Sequence, residues 1–336
     1  MSLFDRDKSA GRLPVSLMTG FLGSGKTTLV NRLLRQPGMA DSAVIVNEFG
    51  DVPLDHLLVE AVAGEVLVLP SGCICCAVRS DVETTLRDLL ARREAGLVPP
   101  FARVLIETTG LADPAPLVQL LLANPLILHS YRLDAVVATV DALHGADQLA
   151  RHAESVKQVA IADRLVLTKA DLATTAVVDA LRDRLHRLNP AAPIFHALQG
   201  EIDPDRLFGA GLHDPSRPVP DTVRWLALDA FAGVRHDPAV QAVCLQADAP
   251  LDWMALSAWL AGLRAARGPD LLRVKGILDI AGEATPLAVH GVHHVFHPPT
   301  LLAAWPPGPR RSALVMIGRD LDRAALEPGW RAAVAA

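Results

Sequence analysis

A glycine-rich segment after the first predicted strand has the residue types needed to hold phosphate. Residues 20–27 read Gly-Phe-Leu-Gly-Ser-Gly-Lys-Thr and match the pattern GxxxxGK[ST]. Glycines let successive backbone N–H groups turn toward phosphate oxygens, and the following helix adds the positive end of its dipole. Lys26 would neutralise the β- and γ-phosphates, and the Thr27 hydroxyl would ligate Mg²⁺. The pattern favours a nucleotide site over a plain glycine turn, with these predicted binding residues: Gly20, Gly23, Ser24, Gly25, Lys26, Thr27 and Thr28.

A second element, Thr168-Lys169-Ala170-Asp171, ends another predicted strand. It resembles the guanine-recognition element [NST]KxD, in which the Asp accepts two hydrogen bonds from guanine and the Lys stem packs along the base. Adenine lacks this pair of donors, so Asp171 favours GTP and GDP as ligands. We expect Thr168, which replaces the commoner Asn, to loosen the loop without moving Asp171. A solvated helix cap at Asp171 is the alternative interpretation.

Glu107 and Gly110 lie at the end of the predicted strand Arg103–Glu107. A carboxylate near the phosphate loop can hold Mg²⁺ directly or through its water shell, and a glycine beyond it can give its N–H to the γ-phosphate. We therefore predict Glu107 as a magnesium ligand and, with Lys26, as a catalytic residue. The alternative is a surface Glu at a strand end.

The segment Asn47–Asp51 follows the next predicted strand and contains a further carboxylate, Glu48. Glu48 is predicted as a third catalytic residue, which could position Mg²⁺, the attacking water or a second metal. The residues alone leave these three roles open. A turn built on Gly50 and Asp51 is the alternative.

Three of the four cysteines, Cys73, Cys75 and Cys76, lie within four residues of each other. Close to a predicted helix start they favour the thiolate state and a cation such as Zn²⁺ or Cu⁺. Glu48, Asp51 or a small anion would complete a tetrahedral site. Inert buried thiols and a redox pair are the alternatives, although strain disfavours a disulfide in so short a loop. If metal binds here, its binding could be coupled to the nucleotide state.

Composition excludes several other classes of protein. The 336 residues carry a formal charge of -5, which gives no basic field to gather nucleic acid. No apolar run reaches the roughly 18 residues that span a bilayer. Residues 1–13 lack the apolar stretch of a secretory signal, so we expect a cytoplasmic protein without membrane attachment.

The order of predicted elements indicates an α/β fold in two domains. Over the first 200 residues short aliphatic runs alternate with helical patterns, which is typical of a P-loop, doubly wound, mostly parallel sheet. Later runs predict a smaller α+β domain with an antiparallel sheet. The predicted boundaries are a flexible tail over 1–13, a P-loop domain over 14–208, a linker over 209–221 and a second domain over 222–328.

The motifs, in their order and spacing, resemble the CobW-type GTPases. The matching segments are Thr19–Thr28, Asn-Glu-Phe-Gly, Gly-Cys-Ile-Cys-Cys, Glu-Thr-Thr-Gly-Leu-Ala-Asp-Pro and Thr-Lys-Ala-Asp, followed in the second domain by Leu272–Leu278 and Val315–Arg319. The resemblance implies slow GTP hydrolysis used as a switch, linked to delivery of Zn²⁺ or Co²⁺ to a client metalloprotein. It also implies Cys73, Cys75 and Cys76 as metal ligands, with Glu48 near both metal and nucleotide.

Two features of the sequence depart from the family pattern. Val46 stands where the family often has an additional Glu, which removes one candidate ligand. Only His213 and His236 occupy the region where many members carry a His-rich loop, so an accessory metal store is not expected. The densest His group, which we expect to face the surface or a partner, lies on or next to a predicted strand Leu287–Phe296: His290, His293, His294 and His297.

Two other functions compete with a GTP-dependent metallochaperone. One is a P-loop kinase, in which Lys26 and Mg²⁺ would serve transfer to an acceptor. The other is a zinc-stabilised interaction module with a structural metal. Aliphatic surface on the second domain would suit either a homodimer or a client, and the sequence does not choose between them.

Overall fold

The computed structural model describes residues 4–6, 11–47, 66–68, 77–209, 231, 240–305 and 309–334. The chain divides into two compact units. One unit consists of Gly11–Asp183 with Pro193–Gly211, and the other of Met1–Ala10, Arg184–Ala192 and Leu212–Ala336. Residues 210–221 of the predicted linker lie outside the described residues.

A parallel sheet forms the centre of the first unit. Its strands, counted over the described residues, are β2 (Leu13–Gly20), β3 (Ser42–Asn47), β4 (Val66–Val68), β5 (Arg103–Thr108), β6 (Tyr131–Asp141), β7 (Arg164–Thr168) and β8 (Ile194–His196). Their order is β4-β3-β5-β2-β6-β7-β8. Because β5 and β6 flank β2, the carboxyl ends of all three strands meet at one edge, where ligands of such sheets bind. This sheet confirms the predicted P-loop α/β class.

Helices cover this sheet, as a fully buried parallel sheet requires. Within the described residues the helices of this unit are α1 (Lys26–Leu34), α2 (Ala77–Glu94), α3 (Ala115–Ala123), α4 (Pro125–Ser130), α5 (Gly145–Arg151), α6 (Ala153–Ile161), α8 (Pro204–Leu207) and the part of α7 (Thr175–Leu188) up to Asp183. α1 buries Leu29, Val30 and Leu33, which share one face at helical spacing. That packing fixes the helix that follows the phosphate loop.

The second unit contains a mainly antiparallel sheet, which confirms the predicted α+β domain. Its strands are β1 (Asp5–Arg6), β9 (Gln241–Ala247), β10 (Leu271–Leu278), β11 (Leu287–Val292), β12 (Val295–Phe296), β13 (Thr300–Leu301) and β14 (Ser312–Gly318), in the order β1-β13-β11-β10-β14-β9 with β12 paired to β11. Leu245, Val274 and Leu314 share a hydrophobic core with Leu260 of α9 (Trp253–Arg267) and Leu326 of α10 (Arg323–Ala332).

Three predicted elements differ from the structure. The predicted flexible tail contains β1, which pairs in parallel with β13. A single helix predicted over 146–161 is two helices, because His152 has an extended backbone between α5 and α6. The strand predicted over 287–296 is a hairpin, because the chain turns at His293, whose φ is 53°.

One further finding concerns membranes. Among the helices of the described residues, none combines the length and apolar character needed to cross a bilayer.

Candidate nucleotide-binding site

The glycine-rich segment forms a loop between β2 and α1. Gly20, Gly23 and Gly25 have φ angles of 138°, 71° and 87°, in the region that glycine adopts without steric cost. A Cβ on Gly20 would collide with Thr139 of the neighbouring strand. The predicted loop therefore has the curled backbone that directs N–H groups inward.

Lys26, the first residue of α1, is folded onto this loop. Its ammonium donates hydrogen bonds to the carbonyl oxygens of Gly20, at 2.9 Å, and Phe21, at 3.2 Å. The side chain is only 8% exposed, so its charge lies inside the loop rather than in solvent. Such a buried ammonium inside a loop of this conformation is suited to bind an anion.

Thr27 and Glu107 meet at the same edge of the sheet. The Thr27 hydroxyl donates a 2.6 Å hydrogen bond to Glu107 Oε1, and Glu107 is 4% exposed. The contact arises because β5 pairs with β2, with Glu107 opposite Met18. A hydroxyl and a carboxylate oxygen are hard donors of the type that Mg²⁺ prefers, so the predicted pair fits this ion.

Gly110 lies directly against the phosphate loop. A Cβ at this position would lie 2.7 Å from the backbone nitrogen of Leu22, so only glycine fits here. Gln158 of α6 donates to the carbonyl oxygens of Gly110, at 3.1 Å, and Ala112, at 3.0 Å. The loop after β5 is thus held between the phosphate loop and α6, and no motif in the sequence marks Gln158 for this contact.

The phosphate loop has two further contacts with α5 and the α5–α6 junction. The ring of His152 stacks on Phe21 with centroids 4.5 Å apart. Gln148 donates a 3.4 Å hydrogen bond to the carbonyl oxygen of Leu22. The break between the two helices, which the periodicity did not predict, therefore brings His152 to the phosphate loop.

The segment Thr168–Asp171 is tied to the phosphate loop by two hydrogen bonds. The Thr168 hydroxyl donates to the carbonyl oxygen of Ser24 at 2.7 Å, and Lys169 Nζ donates to that of Gly23 at 2.8 Å. Asp171 is exposed in the 3₁₀ turn Ala170–Leu172 that follows. The Thr168 hydroxyl thus anchors the loop, and the expectation that Thr168 leaves it looser than the commoner Asn stays a prediction.

Asp141, the last residue of β6, was not among the predicted site residues. Its carboxylate is 2% exposed and accepts a 2.8 Å hydrogen bond from Lys169 Nζ. Burial would raise the pKa of Asp141, but hydrogen bonds from Lys169, His144 and the Leu143 amide, with the charge of Lys169, outweigh burial and lower the pKa. Asp141 is therefore held as an anion beside the predicted base-recognition element.

The predicted transition-metal ligands lie outside the described residues. This applies to Glu48, Cys73, Cys75 and Cys76. Within the described part of the chain, no group of three or more His, Cys, Asp or Glu residues has a geometry that could hold a metal ion. In the C-terminal hairpin, His290 and His297 form a ring pair with centroids 4.7 Å apart.

A doubly wound sheet with a phosphate loop, an adjoining Thr–Glu oxygen pair and a TKxD element at one edge defines a GTPase of the P-loop class. Residues 14–196 match the family described as CobW/HypB/UreG, nucleotide-binding domain. Residues 240–334 match the cobalamin synthesis protein cobW C-terminal domain. The chain belongs to the CobW family, as its motifs predicted.

Individual relatives agree with this family. The zinc chaperone YjiA of Escherichia coli is 36% identical over 285 residues, which cover 84% of this chain and 87% of the relative. The zinc chaperone CobW of Pseudomonas aeruginosa is 32% identical over 365 residues, which cover 98% and 93%. The crystal structure of Zn(II)-bound YjiA GTPase from E. coli aligns at a TM-score of 0.72 with 27% identity, over 96% of this chain and 99% of that one.

Proposed function

We propose that this protein is a GTP-driven zinc chaperone that binds Zn²⁺, with Co²⁺ as the alternative cargo, and delivers it to a client metalloprotein in the cytoplasm. GTP hydrolysis would act as a slow switch. The single observation that carries the proposal is the attachment of the Thr168–Asp171 segment to the phosphate loop through Ser24 and Gly23. It favours one ligand, a guanine nucleotide, that contacts both elements.

Each described site residue has a proposed part in nucleotide binding. The loop N–H groups and Lys26 would hold the β- and γ-phosphates, and Asp171 would accept hydrogen bonds from guanine. Thr27 and Glu107 would hold Mg²⁺, which would neutralise charge on the phosphates. Gly110 would donate its N–H to the γ-phosphate, so the loop held by Gln158 would respond to hydrolysis.

The cargo site is proposed from residue types and chain order. Cys73, Cys75 and Cys76 stand between β4 and α2, and Glu48 directly follows the last residue of β3. Both flanking strands belong to the sheet that carries the phosphate loop. Thiolates with one carboxylate suit Zn²⁺. The relatives named zinc chaperones support zinc as the cargo.

Zinc affinity measured in three nucleotide states tests the proposal. Competition with a chromophoric chelator would be run on the nucleotide-free, GDP-bound and GTP-analogue-bound protein. Release of cargo by a switch requires the affinities of the two nucleotide states to differ, and we expect a difference on the order of tenfold or more. Substituting Cys75 and Cys76 by Ser should abolish tight binding, whereas Cys244→Ser should not. Equal zinc affinities in all states would refute the chaperone mechanism.

Two measurements separate the competing functions. A kinase would turn over little GTP without an acceptor, so steady hydrolysis by the protein alone argues against that function. A structural zinc would be required for the fold, so chelation should then abolish the thermal unfolding transition. A chaperone should stay folded after chelation, because its metal is cargo.

A further inference from the structure

Lys169 adopts a backbone conformation that is uncommon for a residue other than glycine. Its φ and ψ angles are 56° and 24°, in the left-handed region. Such a conformation persists only where the surroundings determine it. The contacts of the Lys169 side chain therefore bear directly on how the base-recognition loop is held in position.

Two acceptors fix the ammonium of Lys169. One is the carbonyl oxygen of Gly23 in the phosphate loop, at 2.8 Å, and the other is Asp141 Oδ2, at 2.8 Å. A carbonyl is neutral and cannot balance the charge of a partly buried ammonium, whereas a carboxylate can. Asp141 is thus the ionic partner of Lys169.

The Asp141 carboxylate is itself fixed on both oxygens. Oδ1 accepts hydrogen bonds from the backbone N–H groups of Leu143, at 2.8 Å, and His144, at 3.4 Å. Oδ2, besides its bond to Lys169, lies 3.1 Å from His144 Nδ1. The turn after β6 therefore sets the orientation of the carboxylate before any nucleotide binds.

The pairing of β6 with β7 fixes the position of Asp141 relative to Lys169. β6 and β7 are parallel, and Asp141 is opposite Thr168, the residue before Lys169. Thr168 and the strand residues before it, Arg164–Leu167, are buried. The carboxylate is thus supplied by a rigid strand end that adjoins the start of the base-recognition loop.

We propose that Asp141 is a positioning residue for guanine recognition, which holds the Lys169 ammonium against Gly23 so that the Lys169 stem and Asp171 are arranged for the base. This inference rests on the guanine-recognition role proposed above for Thr168–Asp171. Without the carboxylate, the ammonium retains one neutral acceptor and the loop loses a contact that fixes its left-handed residue.

A purely structural role for Asp141 makes a different prediction. In that case its only contribution would be to accept the N–H groups of Leu143 and His144 and so stabilise the turn. Asp141→Asn separates the two roles, because the amide oxygen can still accept those N–H groups while the amide nitrogen cannot accept from Lys169. Loss of base recognition in a folded Asp141→Asn protein would come from the lost ionic partner.

The test compares a complete nucleotide with a probe that has no base. Affinities for GDP, ADP and inorganic tripolyphosphate would be measured for the wild type, Asp141→Asn, Lys169→Met and the double variant. We expect each single variant to bind GDP on the order of 10- to 100-fold more weakly, as for loss of a charged hydrogen bond, with tripolyphosphate affinity unchanged. The loss in the double variant should be smaller than the sum of the two single losses, because both single variants remove the same contact between Lys169 and Asp141.

A matched control is Asp163→Asn. Asp163 is also buried and accepts a backbone N–H, that of Val136 at 2.9 Å, but it precedes β7 at the amino end of the strand. The Asp163→Asn protein should bind GDP with the affinity of the wild type. If Asp141→Asn does not fold, Asp141→Glu takes its place, and its displaced carboxylate should weaken GDP binding while tripolyphosphate binding stays unchanged.

Three results would overturn the proposal: a folded Asp141→Asn with wild-type GDP affinity, an equal loss of GDP and tripolyphosphate affinity, or additive losses in the double variant. Failure of the guanine-recognition role itself would be visible separately. In that event the wild type would bind ADP as tightly as GDP, whatever the variants do.

Discussion

The Thr27 hydroxyl donates a 2.6 Å hydrogen bond to Glu107 Oε1. The two residues are eighty positions apart, and the pairing of β2 with β5 brings them together. Glu107 is longer by one methylene than the Asp that most P-loop GTPases use, and it reaches the threonine directly. One Mg²⁺ ion bound here would contact oxygen atoms from both the phosphate loop and the strand next to it.

Glu107→Gln should reduce GTP turnover and raise the Mg²⁺ concentration needed for half-maximal activity. The amide keeps the length of the side chain and an acceptor for Thr27, but it removes the negative charge that would attract the ion. A loss of turnover on the order of 10- to 100-fold is expected when a residue at or next to a metal is changed. Turnover measured across a Mg²⁺ titration gives both quantities.

Glu83→Gln is the control for this change. Glu83 on α2 also accepts one hydrogen bond from a neutral side chain, that of Asn124 at 2.8 Å. The turnover and Mg²⁺ dependence of the Glu83→Gln protein should match those of the wild type. A Glu107→Gln protein with unchanged Mg²⁺ dependence would exclude Glu107 as a magnesium residue.

Gln158→Leu should slow GTP hydrolysis while GDP affinity changes little. The substitution removes both N–H donors to Gly110 and Ala112, so the loop after β5 loses its attachment to α6. We expect turnover to fall on the order of 10- to 100-fold, as for a small displacement of a catalytic group. The free energy of unfolding should also fall, by about 1–3 kcal/mol, because two carbonyls lose their partner.

Single-turnover hydrolysis and GDP titration measure these two effects. Gln36→Leu is the matched control, since Gln36 donates one 2.9 Å bond to the carbonyl oxygen of Ile202 in a different loop. The control should lose stability without losing turnover. Wild-type turnover in Gln158→Leu would mean that the loop keeps its position without Gln158.

Contiguous motifs were predictable from the sequence because their chemistry is local. The phosphate loop at 20–27 and the segment Thr168–Asp171 each have the residues of their proposed function within a short stretch at the end of a buried strand. Asp141 and Gln158 were not predictable, because each reaches the site from a separate element. Their part depends on strand register and helix packing, which one sequence does not show.

The same distinction applies to the fold. The buried strands β6 and β7 are continuous aliphatic runs, which predict a parallel sheet. The turn at His293 was missed, because neither Gly, Asn nor Pro marks it and its left-handed backbone is adopted by a histidine. The break at His152 was missed for a similar reason, since the apolar spacing continues across it.

Cys244 should be inert toward thiol reagents in the folded protein. Burial raises the pKa of the Cys244 thiol to about 11, so its thiolate fraction near neutral pH is below about 0.1%. Labelling with a disulfide reagent should therefore modify at most three of the four cysteines, and denaturant should release the fourth. Cys244→Ser should leave the native count unchanged and lower the denatured count by one. Rapid native labelling of Cys244 itself would contradict its burial in β9.

The stability that Asp141 contributes should depend on pH in a defined direction. The pKa of Asp141 is lower in the folded protein than the ordinary value of about 3.9. A lowered carboxyl pKa contributes stability that is fully present above the unfolded value and is lost as the pH falls through the folded value. Among the described residues, the charged or titratable partners of this carboxylate are Lys169 and His144.

Urea unfolding of the wild type and Asp141→Asn between pH 7 and pH 3 measures this contribution. The wild type should be more stable by ~1.5–3 kcal/mol near neutrality, the range for a hydrogen bond to a charged group. The difference measured at about pH 5 should shrink below about pH 4, because Asp141 takes up a proton there and Asn cannot titrate. Asp163→Asn again serves as the comparison for a buried Asp outside the site. A difference that grew as the pH fell from about 5 to about 3 would mean that the folded protein favours the protonated form of Asp141, and the ionic contact with Lys169 would then not be what holds this carboxylate.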